Sequence, residues 1–216
     1  MKGIKLFFLT IDYKSGLIFL GVLLCVSHYA KAQDIKENLK LGVIGATNVN
    51  SLISSNDSRM SVRATYMIGF LAEYEYKEKL HFQSGLLYSR QGENNRGRRD
   101  SDRFRDLLKL DYIGLPLMVK YNVFDRMWAE TGLQPSYLLI AEVDQVQQSE
   151  SFVQSVKRNY KDWDVLYNIG VSYKSDWGFF IGLRYSIGLT NILENPIGDL
   201  NSQRHSIYQF NFGYTF

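Results

Sequence analysis

His205-Ser206-Ile207-Tyr208-Gln209-Phe210-Asn211-Phe212-Gly213-Tyr214-Thr215-Phe216 is the last stretch of the sequence, and its even positions from 208 onward are all aromatic. Gln209, Asn211, Gly213 and Thr215 between them are polar or small. Side chains alternate across an extended strand, so one face of this segment is apolar and the other wet. A strand of a soluble sandwich can read this way too. An aromatic alternation that runs to Phe216 resembles the terminal strand by which outer-membrane barrels are recognised and closed.

Three upstream hairpins repeat the pattern. Tyr66, Ile68, Phe70, Ala72, Tyr74 and Tyr76 share one face of a strand over 66–76, and a turn centred on Glu78 sets Tyr74 against Phe82 and Glu73 against Gln83. Apolar meets apolar and polar meets polar, as a one-sided sheet requires. Ile113, Leu115, Leu117, Val119 and Tyr121 of a strand over 110–122 are brought by a turn near Asp125 against Ala129, Thr131, Leu133 and Tyr137. The turn Lys174-Ser175-Asp176 sets the odd residues Trp163 to Tyr173 against Trp177, Phe179, Ile181, Leu183, Tyr185 and Ile187. With a less regular first strand over 40–48, the count reaches eight.

Connections after the second, fourth and sixth strands are about three to five residues, and the others roughly fourteen to twenty, the alternation of short periplasmic turns and long external loops. Trp128, Trp163 and Trp177 stand at strand ends, where an aromatic girdle meets headgroups. Pro116 and Pro135 cannot donate to a ladder; the turn register places them almost opposite each other, so one local bend absorbs both. The expected fold is all-β: an eight-stranded antiparallel up-and-down transmembrane β-barrel.

The first residues read as a targeting segment. Lys2, Lys5 and Lys14 precede an uncharged run over 15–27, and Ala30-Lys31-Ala32 has small residues at the cleavage spacing, so a signal peptide over 1–32 and a barrel domain over 33–216 are expected. The run is too short for the ~20 residues of a spanning helix. Cys25 follows Leu24 where lipidation wants a small residue. The sequence has 25 basic and 22 acidic residues; taking away Lys2, Lys5, Lys14, Lys31 and Asp12 leaves 21 of each. A formally neutral mature chain argues against nucleic acid as a partner. Cys25, the only cysteine, leaves with the leader, so no thiol chemistry is expected. Beyond the leader, no stretch approaches 18 uninterrupted apolar residues, which leaves a closed sheet as the way to span a bilayer with every backbone group paired.

The wet faces become the barrel interior. By this phasing Glu73, Glu75, His81, Lys120, Glu130, Asp164 and Arg184 point inward, with Lys120 facing Glu130 and Glu75 facing His81 across their turns. Eight strands leave an interior filled by side chains, and charges there must pair. The expected arrangement is a structural ion network, with a conducting or proton-linked path as the sharper alternative. In the loop expected over 91–109, Arg96, Arg98, Arg99, Arg103 and Arg105 suit bidentate phosphate recognition, so lipopolysaccharide of the outer leaflet or a surface partner is a candidate contact there, the alternative being a merely solvated, mobile loop. Lys157-Arg158-Asn159-Tyr160-Lys161 is expected at the same rim.

No enzyme is expected. His205 and Ser206 are adjacent, so on a strand they point to opposite faces, and Glu142 with Asp144 has no histidine in its loop. No metal spacing or phosphate-cradling loop is present, and no cofactor is expected.

Several pieces resemble the PorT-like outer-membrane β-barrel family: Gly85-Leu86-Leu87-Tyr88-Ser89-Arg90-Gln91-Gly92, Tyr112-Ile113-Gly114-Leu115-Pro116-Leu117, Thr131-Gly132-Leu133-Gln134-Pro135, Gly182-Leu183-Arg184-Tyr185-Ser186-Ile187-Gly188-Leu189-Thr190-Asn191-Ile192, and the aromatic last strand. The resemblance implies an eight-stranded barrel with no shared catalytic residues. Its namesake is tied to type IX protein secretion, which implies an envelope or secretion-machinery protein as a partner. The functions carried forward are an interaction role at the envelope, a narrow channel, and a lipid-modifying or proteolytic barrel enzyme.

Overall fold

The computed structural model describes residues 38–54, 62–99, 102–147, 150–195 and 202–216; for 95–99, 102–105, 146–147 and 150–151 the description covers the backbone alone. The expected leader and its cleavage point fall in 1–37, outside the described residues. In the compact unit Leu39–Phe216 the strands are β1 (Leu39–Ser54), β2 (Arg63–Lys77), β3 (Leu80–Gln91), β4 (Asn94–Arg99), β5 (Asp102–Gly114), β6 (Leu117–Phe124), β7 (Met127–Gln147), β8 (Glu150–Ser155), β9 (Trp163–Lys174), β10 (Phe179–Gly188) and β11 (Gln203–Thr215).

They make eight staves. β4 continues β3 past Gly92, whose φ of 120° is a conformation open chiefly to glycine; β5 and β6 are one stave broken at Leu115-Pro116; β8 lies along β7 above β9. β1 pairs with both β2 and β11, and β2 with β3, so the antiparallel sheet closes and leaves no edge around the barrel. Two of the hairpins keep the expected register, Tyr74 opposite Phe82 and Leu117 opposite Leu133. The third is displaced: Ile181, not Trp177, faces Tyr173, because the turn runs from Ser175 to Gly178, with Gly178 at φ 89°. The shift is even, so the faces still match. Trp177 is thereby in the turn.

Apolar residues on one side of each stave face outward. Ile68, Phe70, Leu86, Val171, Leu183 and Phe210 are all exposed, a continuous apolar belt far larger than a soluble monomer shows. Short turns and the Leu39 and Phe216 ends share one end, the inner one by the barrel rule. Both prolines sit at the Leu115-Pro116 break, where Leu115 N–H donates to Pro135 O at 2.9 Å. A bulge three residues on makes Leu139 the extra residue between Asp111 and Tyr112 pairing.

Three expectations are corrected. The stretch over 91–109 is mostly strand: β4 and β5 form a hairpin, and β7, 21 residues long, carries the wall upward against β8. Some 9–11 residues suffice to cross a bilayer, so about half of β7 stands outside it. Main-chain pairing propagates beyond the hydrocarbon without any side-chain alternation to announce it. The interior is also less wet than the phasing implied. Ile44, Ala46, Met67, Leu71, Leu87 and Phe180 form one inward apolar cluster, and Leu108, Leu110, Leu138, Ile192 and Leu193 lie in a second. Finally, Trp128 is buried in the lumen, because it shares the parity of Glu130 and not that of the outward Ala129; only Trp163 and Trp177 are exposed.

Candidate functional site

Near the inner end, one carboxylate gathers three nitrogens. Glu73 on β2 accepts from Lys174 Nζ at 2.6 Å and His81 Nδ1 at 3.0 Å through Oε1, and from Lys120 Nζ at 3.0 Å through Oε2. These residues come from β2, β3, β6 and β9, joined across the lumen. Lys120 also lies 5.9 Å from the Trp128 ring centre and 5.7 Å from that of Phe180, where ring quadrupoles offset part of its desolvation. His81 packs against Trp128 with ring centroids 4.2 Å apart and planes tilted by 42°. Glu75, by contrast, is only partly buried and pairs with Lys40 at 3.5 Å.

At mid-height Arg184 Nε and Nη2 both donate to Glu130 Oε1, at 2.9 and 2.8 Å. Glu130 on β7 and Arg184 on β10 each stand opposite Gly170 of the intervening β9, and the pair closes over the space a side chain would take. A Cβ at Gly170 would meet Leu183 O at 2.6 Å and Glu130 Oε1 at 3.0 Å. Gly170→Val is therefore expected to cost about 1–3 kcal/mol by overpacking, read as a lowered urea midpoint of the lipid-reconstituted barrel; an unchanged midpoint would contradict the bridge.

Further out, Asp164 accepts from Val165 N–H at 2.8 Å and from the Thr190 hydroxyl. His205 Nε2 is 3.9 Å from Asp164 and 3.4 Å from Tyr112 Oη. Above them the β10–β11 connection folds inward. Ile192 N–H donates to Gln203 O at 3.0 Å, Lys161 N–H to Ile192 O at 2.8 Å, and Leu193 bridges to Tyr160. Ile192 and Leu193 thus sit buried among Leu52, Leu108, Leu110, Tyr112 and Leu138, an apolar plug over the charged lumen.

Of the residues expected inside, Glu73, His81, Lys120, Glu130, Asp164 and Arg184 are buried and Glu75 is half-buried. Lys120 and Glu130 are register partners, yet each binds a different partner across the lumen. Hairpin register ranks neighbours along the wall, whereas strand tilt decides which tips meet inside. Lys174, read as a turn residue, and the His205–Tyr112 contact were missed; inward parity of residues 205 and 174 was the available signal. Ser206 faces out and meets Tyr185 Oη at 3.1 Å, so it stands on the opposite face from His205.

On the outer rim, Arg90 Nε and Nη2 grip the two oxygens of Asp111 at 2.8 Å each, and Tyr88 donates to the same carboxylate at 2.7 Å. Lys109 reaches Asp144 at 3.4 Å, and Lys157 lies 5.6 Å from the Tyr137 ring centre. The backbone sets Arg96 opposite Arg105 and Arg98 opposite Arg103 in the β4–β5 hairpin. The side chains of Arg96, Arg98, Arg99, Arg103 and Arg105 lie outside the described residues.

A closed ring with an apolar outside and a paired, plugged inside agrees with the sequence family that matches residues 31–194, the outer membrane protein beta-barrel domain. The chain belongs to that family. It is an outer-membrane protein. Among solved structures, it is similar to the attachment invasion locus protein Ail of Yersinia pestis, at 10% identity over 83% of this chain and 98% of that one, TM-score 0.49. It is similar also to Neisserial surface protein A, at 13% identity over 82% and 97%, TM-score 0.49. A third is OprG of Pseudomonas aeruginosa, at 11% identity over 83% and 96%, TM-score 0.40. No curated protein sequence matches the chain.

Proposed function

We propose that this barrel works through its outer wall, as an interaction protein of the cell envelope, and that its lumen does not conduct. The observation that carries the reading is the lumen itself: Glu73 and Glu130 are saturated by internal cations, and Ile192 and Leu193 close the outer end with an apolar plug. An ion entering would have to break pairs whose separation leaves buried charge uncompensated and then displace packed side chains.

The raised β4–β5 and β7–β8 wall is the surface offered to partners. Its sequence holds Arg96, Arg98, Arg99, Arg103 and Arg105, whereas Arg90, Lys109 and Lys157 are each paired within the barrel, with Asp111, Asp144 and Asp162. The guanidinium groups of the β4–β5 hairpin suit the phosphates of lipopolysaccharide. The resemblance to the PorT-like family supports a second partner class, a component of a type IX-like secretion apparatus.

Planar-bilayer recording of the purified barrel tests the closed lumen: an unchanged baseline is expected, and steady single-channel steps would favour the narrow-channel reading instead. Affinity capture from native envelopes, compared between wild type and a chain with Arg96, Arg98 and Arg99 replaced by serine, tests the wall. Loss of a captured envelope component is expected.

A further inference from the structure

The outer wall of the barrel is a sheet with two open edges. β4 pairs with β5, β5 with β7 and β7 with β8, and among the described residues nothing pairs with the far side of β4 or of β8. An unpaired edge is a template for another strand unless charge, proline or a bulge blunts it. The two edges differ in that respect. β4 contains Arg96, Arg98 and Arg99, whereas β8 reads Glu150-Ser151-Phe152-Val153-Gln154-Ser155, with no charge after its first residue and no proline.

The free side of β8 is set up for pairing. Val156 N–H donates to Ala141 O at 2.9 Å. An antiparallel ladder exchanges its hydrogen bonds at every second residue, so Gln154, Phe152 and Glu150 turn their N–H and C=O groups to β7, and Ser151, Val153 and Ser155 turn theirs away from it. Phe152 and Val153 are 61% and 58% exposed, on the stretch of the wall outside the membrane, where no lipid covers them. Adjacent residues project to opposite faces of a sheet, so a strand added here meets an apolar neighbour on each face. Where the chain leaves β8 for the short 3-10 helix Lys157–Asn159, residues 154–159 line a hollow of about 500 Å3, room for a flanking side chain.

We infer that the free edge of β8 is a docking site for an extended segment of a partner protein, which joins the outer wall as a further strand through the main chain of Ser151, Val153 and Ser155. The inference rests on the outer wall being the interaction surface, and it gives the partner a chemistry: open main-chain donors and acceptors call for an extended backbone, and Phe152 and Val153 for β-branched or aromatic side chains upon it. A second copy in the same membrane does not fit. The two copies would be related by an axis along the membrane normal, which sets their β8 strands either crossed or parallel, and a parallel ladder is staggered, so no two-fold axis can build it. An inverted copy, from an apposed membrane, is the competing occupant.

The test selects random peptides displayed on phage against the refolded full-length barrel in detergent and measures the selected peptides by fluorescence anisotropy. Enrichment of proline-free sequences with alternating β-branched or aromatic residues is expected, with saturable binding. V153P removes an N–H that points away from β7 and leaves the bonds to β7 in place, a position where an edge strand accepts proline. It is expected to keep the gel mobility of the folded barrel and to bind the peptides at least about tenfold more weakly, the worth of one hydrogen bond with its apolar contact. Methylating the alternate peptide nitrogens that would face β8 is expected to give the same loss with the protein unaltered. If no peptide enriches, or if the enriched peptides bind V153P or survive methylation as well as before, the inference is overturned. A dimer of the barrel alone that V153P abolishes would assign the edge to an inverted copy and overturn it too. β8 carries none of the arginines replaced in the envelope-capture experiment, so the two readings fail separately: capture that survives the serines removes the arginine contact and leaves the edge, and peptides that fail to enrich remove the edge alone.

Discussion

Arg184→Met is expected to destabilise the folded barrel by about 3–5 kcal/mol, because it leaves the buried Glu130 carboxylate without its guanidinium. Both side chains are nearly inaccessible, and Arg184 supplies both of the nitrogens on Glu130 Oε1. The two side chains are each 3% exposed, and Gly170 of β9 lies between the staves that carry them. The measurement is equilibrium urea unfolding in lipid vesicles at neutral pH. The double variant Glu130→Gln, Arg184→Met removes the stranded charge, so it should recover most of the loss, and the cycle separates the cost of an orphaned carboxylate from the worth of the pair. A loss below ~1 kcal/mol for the single variant would show that water reaches Glu130, and the filled lumen would go with it.

What could be read from residues alone follows from how far each physical rule reaches. Alternation is local, so the outward faces of β2, β6, β9 and β11 were legible, and short turns carried that phase across hairpins to give Tyr74 opposite Phe82. Parity survived even where the turn was misplaced, since the register shift of four residues, from Trp177 to Ile181 opposite Tyr173, moved Trp177 into the turn without exchanging faces. Parity also put Glu130 and Arg184 indoors. It did not pair them, because their meeting depends on the β7–β9 register across a long connection, and no short turn fixes it. Trp128 shows the cost of overriding parity: strand-end position suggested a lipid girdle, whereas its even number put it beside His81. The outer wall was illegible for a different reason. Beyond the bilayer neither face has to be apolar, so β4 and β8 carry no periodic signal and are held by main-chain pairing to their neighbours. The plug was hidden too, since Ile192 and Leu193 lie in a connection where neither strand nor helix periodicity applies.

Leu183→Arg, one residue away from the charge that β10 needs, is expected to cost about 2–4 kcal/mol. Leu183 is 60% exposed, opposite Val171 on β9 and Phe210 on β11, and it lies midway between Trp177 in the inner turn and Leu189 at the outer end of the strand. An arginine there has no acidic neighbour on the outward face and must either sit in hydrocarbon or bend the bilayer toward itself. Refolding into vesicles of graded thickness measures both possibilities: the cost should fall in thinner lipid, where the guanidinium snorkels to the interface more easily. Gly182→Ala next to it gives the contrasting behaviour. Its Cβ would come within 2.9 Å of Val171 O and Ser172 Cβ, so its penalty should be a packing penalty, insensitive to lipid thickness. Residues 182, 183 and 184 thus respond to three different surroundings, a tight wall, oil and a buried carboxylate. If Leu183→Arg instead folded as well as wild type in thick and thin lipid alike, the outward face of β10 would not be meeting hydrocarbon, and the side of the sheet assigned to Arg184 and Glu130 would have to be exchanged with it.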